Sequence, residues 1–168
     1  MKIKKIAVFS YEDLSDSSKV RARADFLASD EYPWWRDCET SIKQFCNHFG
    51  VSKLNYEIGA YCPSYIRCDA DNSYFKGRKL KEYKVIAQKS ELNGYYIDSI
   101  LWETFVSEWE RTGSALLGFR EALEKACTDI QKDMEYHLSE EYVEEMMAIN
   151  EWEFNEDGSW FSGKEIAA

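Results

Sequence analysis

Apolar residues recur every three or four positions along both ends of the chain and every second position in a shorter stretch between them. The first element is an exception, because "IKKIAVFS" is short, β-branched and apolar and predicts a strand. Ser15 then stands as an N-cap with Asp16 in the first turn, and Val20, Ala24 and Leu27 form the apolar stripe of a helix ending near Ser29. The next helix has the strongest pattern. In "EYPWWRDCETSIKQFCNHFG", Pro33 suits the first helical position, Trp35, Cys38, Ile42, Phe45 and Phe49 share one face, and Gly50 ends the run.

From Lys53 the period changes to two. Leu54, Tyr56, Ile58 and Ala60 alternate with polar or small residues, and "SYIRCDA" and "SYFKG" predict two further short strands around an Asp71-Asn72 turn. The basic stretch "GRKLKEYKVIAQKS" fits either a short helix or a loop. After Asn93-Gly94 the helical period returns with Ile97, Leu101, Phe105, Val106 and Trp109, stopping at Gly113. Ser114 caps a long helix carrying Leu116, Phe119, Leu123, Cys127, Ile130, Met134 and Leu138, and Ser139 caps a third, "EEYVEEMMAIN". The tail "EWEFNEDGSWF" alternates around a turn and predicts a β-hairpin. Grouped strands without regular βα alternation predict an α+β fold: a small antiparallel sheet with helices packed on one face, long C-terminal helices and a terminal β-hairpin. With two prolines and no low-complexity linker, residues 1–168 are expected to form a single domain.

Composition adds a polarity to this outline. Six Trp, eleven Tyr and nine Phe are many for 168 residues, so some rings are expected at the surface, where aromatics favour interfaces. The net charge of −10 is unevenly placed: residues 1–90 carry 16 Lys/Arg against 12 Asp/Glu, and residues 91–168 carry 5 against 19. The five cysteines, an N-terminus without a signal-peptide pattern and the lack of an apolar run of about 20 residues predict a reduced, cytoplasmic protein with no membrane association.

Candidate chemistry is sparse. Cys46, His48, Cys62 and Cys68 are the residue types that bind zinc, but five residues separate the last two cysteines where structural sites use two to four. "DADNS" opens like a calcium loop, yet Tyr74 stands where glycine is required, so Asp69, Asp71 and Asn72 are read as turn residues. His137, in a helix between acids, is read as exposed. No nucleophile elbow, phosphate loop or acid/base pair is recognisable, so the chain is read as non-enzymatic, with no cofactor and no metal.

Two charged segments remain. Lys76, Arg78, Lys79, Lys81, Lys84 and Lys89, with Tyr74, Phe75 and Tyr83 interleaved, could follow a phosphate backbone while the rings stack on bases. From Asp133 to Gly163 there are ten acids and no lysine or arginine. Glu140/Glu144 and Glu141/Glu145 are like-charge pairs at helical spacing, each costing a few tenths of a kcal/mol, so local helix physics does not explain them all. With Glu151, Trp152, Glu153, Phe154, Glu156, Asp157 and Trp160 they make an acidic, aromatic-rich surface suited to a basic channel, with the rings as anchors.

Three pieces together resemble a widespread family of small proteins encoded by tailed phages and prophages, sometimes labelled antitoxin-like. They are "YEDLSDSSKVRARADF", "EYPWWRDCETSIKQF" and "INEWEFNEDG", in that order, over about a third of the chain. That family carries a Gly-rich "GFxSQGDGA" between its middle strands; here the region reads "GAYCPSYIRCDADNS", so no site on that loop carries over. The resemblance implies a mobile-element accessory protein in the bacterial cytoplasm. By analogy with small acidic proteins of that setting, the expected partner is a host defence protein or nucleoprotein complex with a basic channel, inhibited in an anti-CRISPR or anti-restriction manner. The alternative is an antitoxin-like regulator that binds RNA or DNA through residues 76–89.

Overall fold

A computed structural model describes residues 7–29, 32–89, 92 and 94–161. The chain is α+β, with six helices and one two-stranded antiparallel sheet among these residues. The order is α1 (Asp16–Ser29), α2 (Trp35–His48), β1 (Leu54–Glu57), β2 (Tyr65–Cys68), a 3-10 turn (Asn72–Phe75), α3 (Leu80–Lys89), α4 (Ile97–Thr112), α5 (Ala115–His137) and α6 (Glu140–Ile149). Most of the predicted first strand lies outside the described residues. The chain divides into two compact units. One joins its two ends, up to Tyr32 and from Tyr136 onward; the other is Pro33–Glu135.

The unit made by the chain ends is organised around α1 and α6. The Ser15 hydroxyl accepts from the Ser18 amide at 3.2 Å and caps α1 as predicted. Its buried face, however, is not the Val20/Ala24/Leu27 stripe. Ser18, Ala22 and Phe26 face inward, while Val20 is 59 % exposed. At Ser18 the reason is close approach: the chain tail passes against α1 there, and a small side chain leaves room for it. Tyr11, Leu14, Ala22, Phe26, Val143, Met147 and Phe154 form the core. Around the predicted hairpin, Phe154 makes isolated antiparallel bridges to Phe9 and to Trp160, and the Asn155 amide donates to the Ser159 carbonyl at 2.9 Å to close a turn.

The Pro33–Glu135 unit has an aromatic core. Phe45 of α2 stacks on Phe119 of α5 (centroids 5.3 Å apart) and meets Trp102 of α4 edge-on at 4.9 Å. Phe49, Phe75, Tyr83 and Phe105 complete the cluster. Gly118 brings α5 against α4, since a Cβ there would stand 2.6 Å from the Phe105 carbonyl oxygen. β1 and β2 pair with Leu54 opposite Cys68 and Glu57 opposite Tyr65. The third expected strand, "SYFKG", is a 3-10 turn instead: the Asp71 carboxylate accepts from the Ser73 amide at 2.7 Å and bends the chain, which buries Phe75 in the core. The basic segment resolves as a helix, α3.

Candidate partner-binding surface

The acidic segment is built on α6 and the turn after it. Ser139 accepts from the Tyr142 amide at 3.2 Å and starts α6, placing Glu140 and Glu141 in its first turn beside the positive end of the helix dipole. Val143 and Met147 bury the inner side, so Glu140 and Glu144 flank α1. Arg23 of α1 reaches both carboxylates, at 3.5 and 3.0 Å. The Tyr11 hydroxyl donates to the same Glu144 oxygen at 3.0 Å, and burial, reinforced by that carboxylate, pushes the phenol up to about 12. The like-charge cost expected for Glu140/Glu144 is therefore offset by one shared guanidinium.

Two more acids have internal partners. Arg21 pairs with Asp157 at 2.5 Å. Hydrogen bonds from the Ser159 hydroxyl and amide hold the Asp157 carboxyl below the usual range. Glu145 accepts from the Tyr136 hydroxyl at 3.3 Å. Glu141, Glu151, Glu153 and Glu156 are exposed and have no lysine or arginine partner among the described residues. Beside them Trp152 and Trp160 stack, with centroids 5.4 Å apart and planes at 24°. Trp152 is half-buried against Phe26, while Trp160 is 59 % exposed. A groove of about 370 Å³ adjoins this pair, with Phe9, Met147 and Trp152 along it and Glu12, Glu151 and Glu153 at its sides.

Phe154 requires a correction. Its backbone bridges Phe9 and Trp160 while its ring meets Tyr11 edge-on at 6.2 Å, and it is 2 % exposed. Alternation along the tail sends Glu153 outward and Phe154 inward, so Phe154 supports the surface from beneath and cannot contact a partner.

The basic segment is reshaped in the same way. Tyr83 is 3 % exposed, stacked on Phe49, and cannot serve as a base-stacking platform. Arg78 donates to the Tyr74 carbonyl at 2.9 Å and to the Tyr83 hydroxyl, and its guanidinium covers the Phe49 ring at 5.3 Å. Lys84 pairs with Glu110 at 2.7 Å. Lys76, Lys79 and Lys81 are exposed. Packing thus puts the Tyr83 and Phe75 rings in the core and turns Arg78 into core lining, while Lys76, Lys79 and Lys81 remain at the surface.

Among the described residues no group of three or more His, Cys, Asp or Glu is arranged to hold a metal ion. Burial, with a smaller contribution from Cys68, pushes the Cys46 thiol up to about 12, which disfavours the thiolate needed for attack or ligation. The His48 ring lies edge-on to Phe49, Tyr83 and Trp102, and desolvation followed by the Arg78 charge lowers its basicity. His137, expected to be exposed, is buried between Tyr32 and Tyr142. Asp71 caps the 3-10 turn.

Tyr11, before α1, and Arg21 and Arg23 on it shape the acidic surface yet carry no local signal of that role: Arg23 and Glu144 are 121 positions apart. No protein-family model, curated protein or solved structure matches the chain.

Proposed function

We propose that this chain is a phage- or prophage-encoded, non-enzymatic protein that acts in the bacterial cytoplasm. It binds and inhibits a host nucleic-acid-handling defence complex through the acidic, aromatic surface of α6 and the tail that follows it. The observation that carries this reading is the Trp152–Trp160 stack flanked by Glu141, Glu151, Glu153 and Glu156. Among the described residues those four carboxylates have no such cation beside them, whereas Asp157 pairs with Arg21 and Glu140 and Glu144 share Arg23. An exposed Trp beside unpaired charge is the arrangement of an anchor with an electrostatic rim. No helix among the described residues is long and apolar enough to cross a membrane, which agrees with a partner met in solution.

The test is a nuclease-treated pull-down from host lysate with wild type, a Glu141/Glu151/Glu153/Glu156→Lys variant and Trp160→Ala. Both variants should fold and lose the partner, and wild-type capture should weaken as salt rises. Partner capture by the charge-reversed variant at the wild-type level would sink the reading and leave the acids as a solvated face.

A further inference from the structure

A second site lies wholly within the Pro33–Glu135 unit and is independent of the acidic surface. Between β2 and α5 runs a cleft of about 540 Å³. One wall is the stretch Ser64–Cys68; the other is a single face of α5 from Arg120 to Gln131. Successive side chains of a strand point to opposite faces. Lining by consecutive residues therefore means that the cleft meets the edge of β2 and not one of its faces.

That edge is open. β2 pairs with β1 alone, and among the described residues none of its backbone groups bonds to another backbone group outside that ladder. In an antiparallel pair, alternate residues direct N–H and C=O away from the partner. Such an edge is a template for another strand unless charge, proline or a covering element blocks it. Here α5 stands across the cleft and leaves a slot. Its face from 120 to 131 spans roughly 16 Å at the helical rise, and β2 spans roughly 13 Å at the strand rise. Both lengths suit four or five residues of extended chain.

The charge in the slot is unusual for this protein. Arg67 and Arg120 line it, and neither has a carboxylate partner among the described residues, whereas Arg21, Arg23 and Arg111 each do. The Arg67 guanidinium rests over the Tyr65 ring at 4.8 Å, and Arg120 reaches the Ala70 carbonyl at 3.4 Å. The Ala70 contact holds Arg120 beside the segment that follows β2, and Arg67 lines the same cleft from β2 itself. Glu124, the one carboxylate in the lining, lies a turn farther along α5. Ile66 and Leu123 supply apolar wall between the charged positions. The slot therefore combines unpaired strand hydrogen-bonding groups, apolar wall and two arginines without carboxylate partners among the described residues.

We propose that this cleft binds an extended segment of a partner protein as an added strand antiparallel or parallel to β2, with an acidic side chain of that segment held by Arg67 and Arg120. Main-chain bonds to the β2 edge give affinity, the arginines give register, and Glu124 disfavours a second acid farther along.

The experiment pans a phage-displayed library of random eight-residue peptides on the full chain and measures synthetic consensus peptides by fluorescence anisotropy. Enriched peptides should share one Asp or Glu at a fixed place in an extended apolar pattern. N-methylation of the consensus peptide should abolish binding at alternate positions and be tolerated between them, a result that requires no variant of the protein. Arg67→Gln/Arg120→Gln should weaken binding by roughly tenfold or more, as loss of charge-assisted hydrogen bonds implies, with an unchanged melting temperature. Arg67→Glu/Arg120→Glu should redirect selection toward Lys or Arg. Absence of enrichment, a consensus without an acid, tolerance of N-methylation at every position, or wild-type binding by a folded Gln variant would each overturn the proposal. Binding of a nucleoside monophosphate in place of any peptide would overturn it as well, making the cleft a small-anion site.

Discussion

The Ser18 hydroxyl, on the buried face of α1, donates a 2.7 Å hydrogen bond to the backbone carbonyl of Glu156. Two residues later Gly158 turns with φ near +84°, and a Cβ there would stand 2.1 Å from the Ser18 carbonyl oxygen. This junction joins the first helix to the tail that carries Trp160. The acidic surface is therefore held in place by the beginning of the chain.

Gly158→Ala should accordingly destabilise the protein by roughly 2 kcal/mol or more, because it combines a strained positive φ with a clash against backbone. Ser18→Ala, which removes one hydrogen bond and keeps the small side chain, should cost about 1 kcal/mol. Urea unfolding followed by far-ultraviolet circular dichroism measures both. A Gly158→Ala protein as stable as wild type would mean that the tail is not seated on α1.

In the core of the other unit, one buried side-chain polar atom among the described residues has no hydrogen-bond partner. Trp102 Nε1 is buried and has no hydrogen-bond acceptor, with Phe45, His48, Phe49 and Tyr83 around the indole. Leaving a buried donor unsatisfied costs on the order of 1–3 kcal/mol. Trp102→Phe should offset part of its packing loss by removing that donor and cost less than about 1.5 kcal/mol, whereas Trp102→Ala should cost about 3–5 kcal/mol. Denaturant midpoints of the two variants test this. Equal losses would show that ring volume alone matters at this position.

Tyr11 gives the pH prediction. Burial and then the Glu144 carboxylate raise its phenol from 10.0 to about 12 in the folded chain. The folded state thus holds this proton more tightly than the unfolded state. The stability it contributes is full below pH 10 and is lost as pH rises through about 12. In a near-ultraviolet phenolate titration of the native protein, the difference between wild type and Tyr11→Phe should appear near pH 12. A difference centred at pH 10 would mean that Tyr11 is not packed between Arg23 and Glu144.

Local signals in the sequence determined most of the helices and the character of the candidate site. Ser15 and Ser139 cap where a hydroxyl three residues ahead of an amide predicts it, and α4 and α5 follow the apolar period of Ile97 to Trp109 and Phe119 to Ile130. These are short-range effects, satisfied within one or two turns, so they are legible in a linear string. The concentration of acids around Trp152 and Trp160 is legible for the same reason. Tertiary contact decided the rest. Which carboxylates have a cation beside them depends on Arg21 and Arg23 arriving from the far end of the chain. Phe154 and Tyr83 read as surface rings until packing buried them, and α1 turned Ser18 inward where the tail needs close approach. The cleft with Arg67 and Arg120 exists only because β2 stops at two strands and α5 crosses beside its edge. Burial and charge pairing are sums over neighbours in space, and those neighbours are set by the fold and not by adjacency along the chain.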